Sequence, residues 1–253
     1  MSFTVQQFSA GSDNRFHLAG DPYRKQGVII DPHDGESALA AIAASGWTVK
    51  AVVNTHGHYD HIGGNEAVCA KYGVSVFAHP LEEIPNAKPI GETFRLGTSI
   101  FKVLHTPGHR PGHICLMGEG VLFTGDTLFV GGCGNPKFGG NLDDLAATFA
   151  FLATLPDDLV VYPGHDYALK NLDFCQAWDP GNPAIVEAKA RYSRETGTGF
   201  THRTTMGDEK RWNVFLRTGI AAVRNRLRAA GPLPDPATDA DVFKVLRKLR
   251  NEA

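Results

Sequence analysis

A chain of 253 residues, 42% hydrophobic and 21% charged, has the composition of a globular protein with room for one large domain or two modest ones. Its 28 glycines and 15 prolines call for many tight turns, which excludes a coiled coil, a collagen-like chain and a disordered one. A net charge of −2 argues against a general nucleic-acid binder, and no run of about 18 apolar residues is present to span a membrane.

Residues 1–16 show neither the basic nor the apolar part of a secretory signal, so a cytoplasmic protein is expected. The four cysteines, at 69, 115, 133 and 175, form no CxxC pair and read as free thiols of a reducing compartment. Charge is spread unevenly. Residues 1–170 hold 11 basic and 17 acidic side chains, whereas residues 171–253 hold 14 and 10. The basic part is either a solvated helical face or the receiver of an anionic ligand.

In chain order, residues 28–30 read as a buried strand stopped by Asp31-Pro32. Residues 37–45 are alanine-rich, with Leu39 and Ile42 three apart and Gly46 as a stop, so a helix is expected. A strand over 49–54 leads into a loop over 55–61, and a helix over 64–72 closes at Gly73. Strands are expected over 74–78, 99–104, 113–117 and 121–123, a helix over 142–155, and a strand over 159–162 before the turn Pro163-Gly164-His165. Residues 166–178 look helical, and Asp179-Pro180-Gly181-Asn182-Pro183 breaks the chain. The remainder is helical pattern interrupted by a polar stretch (196–205) and a proline-rich one (231–236), with no strand expected. The pattern implies layered sheets with helices outside, a boundary near Lys170, and a small helical domain over 171–253 behind a catalytic domain over 1–170.

Thr55-His56-Gly57-His58-Tyr59-Asp60-His61 concentrates three histidines and an aspartate directly after a buried strand. Imidazole and carboxylate suit a borderline divalent ion: zinc, but also iron or manganese. Spacing i, i+2 sends His56 and His58 to one side of an extended segment, while Asp60 and His61 fall on a turn and can face a second ion. Further donors follow other strands: His105, His109 and His113, then Asp126, then His165. Asp126 is the natural bridge, because one carboxylate can give an oxygen to each of two cations. Spacing does not choose among His105, His109 and His113.

The set T-H-x-H-x-D-H, T-P-G-H, G-D-T and P-G-H resembles the metallo-β-lactamase superfamily. Within it, residues 127–134 (TLFVGGCG), 164–172 (GHDYALKNL) and 213–217 (NVFLR) resemble the glyoxalase II family, the hydroxyacylglutathione hydrolases. The resemblance implies a four-layer αββα sandwich followed by a small helical domain. It implies that His56, His58 and His109 hold one ion, that Asp60, His61 and His165 hold the other, and that Asp126 bridges them. The implied reaction is hydrolysis of S-D-lactoylglutathione to D-lactate and glutathione, the second step of methylglyoxal detoxification. Two cations sharing a water lower its pKa from about 15.7 toward 7. The resulting hydroxide attacks the thioester, with Asp60 and Asp126 orienting it and Cys133 a bystander. A monomer acting on a small-molecule thioester is expected.

The family's C-G-K-F-Y is here Cys133-Gly134 followed by Asn135-Pro136-Lys137-Phe138-Gly139-Gly140, so the lysine is displaced and the tyrosine hydroxyl is missing. Asp166 stands for glutamate, Val214 for proline, and Ile220 for a lysine, with Arg224 a helical turn beyond as its substitute. The implied contacts to the glutathione half are Lys137, Tyr167 and Arg217. The alternative within the superfamily is a mononuclear-iron glutathione persulfide dioxygenase.

Overall fold

A computed structural model describes residues 3–194, 203–231 and 233–252. The chain divides into two compact units. The first takes in the described chain up to Thr106, with Arg110–Asp126 and Tyr162–Asp166; the second has Pro107–His109, Thr127–Val161 and the described chain from Tyr167 on.

In the first unit one sheet runs in sequence order: β1 (Thr4–Ala10), β2 (Asn14–Asp21), β3 (Gln26–Ile30), β4 (Thr48–Val53), β5 (Val76–Ala78) and β6 (Lys88–Pro89). The first three are antiparallel, and β3 to β6 are parallel. Parallel neighbours need crossovers. These are helices α1 (Gly35–Ser45) between β3 and β4, and α2 (Tyr59–Ile62) and α3 (Asn65–Tyr72) between β4 and β5. Asp34 caps α1 by accepting from the Ser37 N–H, and Gly46 ends it at φ 67°.

The second sheet orders β10 (Val121–Gly125), β9 (Ile114–Gly118), β8 (Ser99–His105) and β7 (Thr93–Leu96). Alternation on β2 shows how the first sheet is buried on both faces. Phe16 and Leu18 join Ile29, Val52, Ile42 and Val68 in the core that includes the helices. His17 turns the other way, 5.4 Å between ring centroids from both Phe123 and Tyr162. Burial pushes His17 down to about 3, so it packs as a neutral ring with Nε2 3.2 Å from the Pro163 carbonyl.

The second unit begins its regular structure with the hairpin β11 (Leu128–Phe129) and β12 (Gly132–Cys133), then α4 (Leu142–Leu152) and β13 (Val160–Pro163). The last two residues of β13 belong to the first unit, where they continue its second sheet beside β10. Helices α5 (Ala168–Trp178) and α6 (Pro183–Arg194) follow, then β14 (Thr204–Thr205), α7 (Met206–Trp212), α8 (Ala221–Ala230) and α9 (Asp239–Arg250). Phe215 is the hub of its core, with ring centroids 5.5 Å from Phe243, 5.8 Å from Phe174 and 6.3 Å from Phe149.

Most of the expected elements are present. The corrections concern strands: β6, β7, β11 and β12 are absent from the sequence reading. The β1–β2 hairpin has no counterpart in the sequence reading, because its polar-rich strand β1 offers no apolar run. Strand β14 also interrupts a region expected to hold no strand: Thr204 and Thr205 pair with Val161 and Val160. Of the polar stretch 196–205, residues through 202 lie outside the described residues, as does Pro232 of the proline-rich stretch.

Glu209 on α7 is fully buried and ties down the β11–β12 turn. Its Oε2 accepts from the Gly131 N–H at 2.9 Å and from Asn213 Nδ2 at 3.1 Å, and Asn213 Nδ2 also reaches the Gly132 carbonyl at 3.0 Å. Burial pushes the carboxyl up from 4.5 to about 7, against the downward pull of these hydrogen bonds. The folded protein therefore binds this proton more tightly than the unfolded chain does. The stability it adds is complete below about 4.5 and is lost as pH rises through about 7. Urea unfolding of wild type and Glu209→Gln should show the wild-type advantage shrinking by roughly 3 kcal/mol over that window. A constant difference would refute the shift.

Candidate metal centre

The parallel strands of an open sheet place ligand-binding loops at their carboxyl ends. Here β3 leads into Asp31 and β4 into Asn54-Thr55-His56, while β10 leads into Asp126 and β13 into Gly164-His165. In the first unit, Asp60, His61 and His165 offer ligand atoms within 4.8 Å of one another, and so do His56, His58 and Asp126. His56, His61, Asp126 and His165 are all buried.

The outward-facing nitrogens of these rings fix which atoms face inward. Asp31 accepts from the Thr55 N–H at 2.7 Å, from the Thr55 hydroxyl at 2.6 Å, and from His61 Nδ1 at 3.1 Å. The Thr55 oxygen, its proton given to Asp31, accepts from His56 Nδ1 at 3.0 Å. Asp13 accepts from His165 Nδ1 at 2.7 Å. Each of these rings donates outward at Nδ1, so its Nε2 lone pair points into the cluster. There His56 Nε2 lies 3.1 Å from His58 Nδ1, and His61 Nε2 lies 3.2 Å from His165 Nε2. The facing Nε2 lone pairs of His61 and His165 repel unless a cation sits between them. The donor set therefore fits divalent metal ions.

Asp126 stands among these rings. Its Oδ1 is 3.3 Å from His61 Nε2, and its Oδ2 is 3.3 Å from His165 Nε2 and 4.0 Å from His56 Nε2. Asp60 Oδ2 lies 3.4 Å from His165 Nε2 and accepts from Asn14 Nδ2 at 3.0 Å. Burial alone would raise both carboxyls, but His61 and His165 hold Asp126 well below the usual range and also lower Asp60. Conversely, burial would depress His61 and His165, yet the carboxylates raise both, His61 strongly. The cluster demands positive charge, which a divalent metal ion would supply in place of protons. Gly164 is required for this crowding, since a Cβ there would meet Asp126 Oδ1 at 2.6 Å and His61 Cε1 at 2.7 Å.

The three histidines that spacing left open have distinct surroundings. His105 is exposed, with Nε2 2.8 Å from the Pro111 carbonyl and its ring stacked 4.4 Å from His79. His113 Nε2 accepts the Asp126 N–H at 3.1 Å, which makes it a support for that residue. His109, in the second unit, is buried and donates from Nδ1 to the Asn135 carbonyl at 2.9 Å, which leaves the ring's lone pair on Nε2.

The thiol-side candidates are all in the second unit. Tyr167 lines a groove of about 780 Å³ together with Lys170, Phe174, Trp178 and Arg250. Lys137 is exposed, its ammonium 5.6 Å from the Phe138 ring. Arg217 is engaged elsewhere: Nη2 and Nε hold Asp179 Oδ2 at 2.9 and 3.0 Å, and Asp179 is buried. Arg224, the substitute for the missing lysine, holds Asp239 and the carbonyls of Thr218 and Ala237. Among the described residues, the cations with no carboxylate partner and substantial burial are Arg247 and Arg250 on α9.

Sequence reasoning missed Asp13, Asn14 and Asp31 as supports. Asp31 was visible only as a strand stop, although a non-glycine residue at φ 52° ending a buried strand is an unusual feature that structure alone reveals.

The sequence profile of the metallo-β-lactamase superfamily matches residues 21–95 and 83–165, and that of the hydroxyacylglutathione hydrolase C-terminus matches residues 166–253. The chain is thus a metallo-β-lactamase superfamily protein, with the αββα fold class and helical C-terminal part that its sequence implied. A hydroxyacylglutathione hydrolase of Polaromonas sp. is 41% identical over 93% of this chain and 94% of its own. The chain belongs to the hydroxyacylglutathione hydrolase family. Among solved structures, ETHE1 from Myxococcus xanthus is 28% identical with a TM-score of 0.64, covering 96% of this chain and 99% of that one. TTHA1623 in a di-iron-bound form is 26% identical with a TM-score of 0.61, covering 84% and 100%.

Asp31→Asn tests the supporting shell. An asparagine has one acceptor oxygen, so its NH2 must face either the Thr55 N–H or the Thr55 hydroxyl and His61 Nδ1 together. Urea unfolding of the metal-free variant should show a loss of about 1–3 kcal/mol, the cost of a buried unsatisfied donor. Unchanged stability would show that these bonds do not hold the loop.

Proposed function

We propose that this protein is a metal-dependent thioesterase. It hydrolyses S-2-hydroxyacylglutathione, with S-D-lactoylglutathione as the substrate, to a 2-hydroxy acid and glutathione. The observation that carries the reading is the paired histidine–aspartate cluster in a chain similar along its length to hydroxyacylglutathione hydrolases. Two divalent ions are proposed, zinc foremost, with iron and manganese suited to the same donors. His56, His58 and His109 hold one, Asp60, His61 and His165 hold the other, and Asp126 serves both. A second complete donor cluster favours this reading over a mononuclear dioxygenase. All donors come from one chain, so a monomer suffices. The free thiols suit a cytoplasmic setting, and no helix among the described residues is long and apolar enough to cross a membrane.

When bound, the ions acidify water and polarise the thioester carbonyl. The protein's own part is orientation. Asp31 and Asp13 fix the ligand tautomers, and Asn14 turns Asp60 so that Asp60 and Asp126 accept the protons of the attacking water. The departing thiolate has a pKa of about 8.5 and needs little help from an acid.

Glutathione carries two carboxylates, and the groove beside Tyr167 offers cations for them. Arg250 contributes its guanidinium, 5.8 Å from the Phe174 ring, and Arg247 is buried beside it on α9. Burial and the neighbouring Arg247 both lower the pKa of Arg250, so a carboxylate there relieves an existing cost. Tyr167 and Arg250, which line the groove, therefore lead the proposed thiol-side contacts. Lys137 is retained on the resemblance alone. Arg217 is assigned instead to bracing Asp179.

Purified protein should hydrolyse S-D-lactoylglutathione, measured by loss of the thioester absorbance, and should consume no oxygen on glutathione persulfide. The opposite pattern would establish the dioxygenase. Chelation should abolish hydrolysis, while mild thiol alkylation should spare it. Burial pushes Cys133 up to about 11 and Cys115 and Cys175 to about 12, so these thiols stay protonated. Loss of activity on alkylation with metal retained would contradict a metal-activated nucleophile.

Arg250→Ala should raise KM by roughly 10- to 100-fold, as expected for a charged contact. The effect on kcat should be smaller, because a remote carboxylate is held in ground and transition states alike. An unchanged KM would move the carboxylate pocket elsewhere.

A further inference from the structure

Glu82 lies just beyond β5, the next parallel strand after β4. Its side chain is fully buried, yet it is none of the cluster's donors. Oε2 accepts from the Gly57 N–H at 2.8 Å and from Arg110 Nε at 3.2 Å, and Oε1 accepts from the Gly112 N–H at 2.9 Å. Gly57 separates His56 from His58. Arg110 and Gly112 lie on the loop that runs from His105 to His113 and directly follow His109 in sequence. One carboxylate thus clasps the loop after β4 to the loop after β8.

The steric fit is as close as the hydrogen bonding. A Cβ on Gly57 would meet Glu82 Oε2 at 2.9 Å, and one on Gly112 would meet Glu82 Cγ at 2.9 Å and Oε1 at 3.0 Å. Both glycines are therefore accounted for by the approach of this one side chain. A carboxylate is also the only side-chain group that presents an acceptor to two opposed amides at once and still faces a guanidinium.

We propose that Glu82 is a positioning residue of the metal centre: by holding Gly57 against the Arg110–Gly112 segment, it sets where His56 and His58 present their nitrogens. This rests on the two-ion reading above, in which these histidines share one ion. Residues that orient metal ligands typically change metal affinity 10- to 100-fold when altered.

The test is zinc titration of Glu82→Gln and wild type against a chromophoric chelator, with urea unfolding of both metal-free proteins. Glutamine keeps the shape, but its NH2 must face one of the two amides. One of the two zinc affinities should fall by about 10- to 100-fold while the other is retained. In zinc-saturated enzyme kcat should fall with KM little changed. Gly57→Ala presses on the same oxygen from the opposite side and should give the same selective loss, and the two changes should not add when combined.

Unaltered zinc affinities with only a lower unfolding midpoint would make Glu82 a structural brace and overturn the proposal. If Glu82→Gln does not fold, Gly57→Ala decides: wild-type zinc affinities in that variant overturn it. A wild-type protein that holds fewer than two zinc ions would remove the two-ion reading itself, and the role of Glu82 with it.

Discussion

Imidazole nitrogens and two carboxylates converge on one small space, and positive charge is what stabilises that arrangement. Two nitrogen pairs approach to 3.1 and 3.2 Å, with Asp126 oxygens 3.3 Å from two of the rings. Removing such charges from water costs several kcal/mol each unless they are compensated. The compensation is built on two levels. Cations would fill the centre, while Thr55, Asp31 and Asp13 on its rim take the outward protons of the rings. The rim matters as much as the donors, because a histidine with the wrong nitrogen protonated is no ligand.

That constraint explains features of the fold that would otherwise look arbitrary. Asp31 accepts a left-handed backbone at the end of β3 because its carboxylate must reach both Thr55 and His61. The β1–β2 hairpin delivers Asp13 and Asn14 from its turn to His165 and Asp60. Its strand β2 earns that reach by packing on both faces, with Phe16 and Leu18 on one side and His17 on the other. A hairpin alone is marginal. Here the turn is rigid because β2 is paired on both edges inside a six-stranded sheet.

What the sequence disclosed follows from how close in the chain the interacting groups are. His56, His58, Asp60 and His61 sit within six residues, so their chemistry shows as a motif. The residues that orient them come from positions 13, 14 and 31, tens of residues away, and nothing local marks them. The ambiguity among His105, His109 and His113 had the same origin. Only the structure shows that His113 is occupied by the Asp126 amide and His105 by the Pro111 carbonyl. Strand β1 was illegible because its alternation is weak. Strand β14 was illegible because two threonines make a strand only when an edge such as β13 is there to pair with.

The basic balance of residues 171–253 shows why counting charge does not locate an anion site. Many of those cations are already matched within the second unit, among them Lys189 with Asp173, Lys210 with Asp157, Arg217 with Asp179, Arg224 with Asp239, and Lys244 with Asp143. Arg217 is the instructive case. Its partner Asp179 is buried, and removing the arginine would strand a carboxylate in the interior, a penalty of about 3–5 kcal/mol. An arginine under that obligation is held in place by its buried partner, and two of its nitrogens are already engaged there. Arg247 and Arg250 carry no such obligation among the described residues. They lie one turn apart on α9, where burial and the neighbouring Arg247 lower the pKa of Arg250. Pairing, rather than net charge, separates a brace from a binding site. Since pairing is a property of three-dimensional neighbours, it becomes visible only once the helices are assembled.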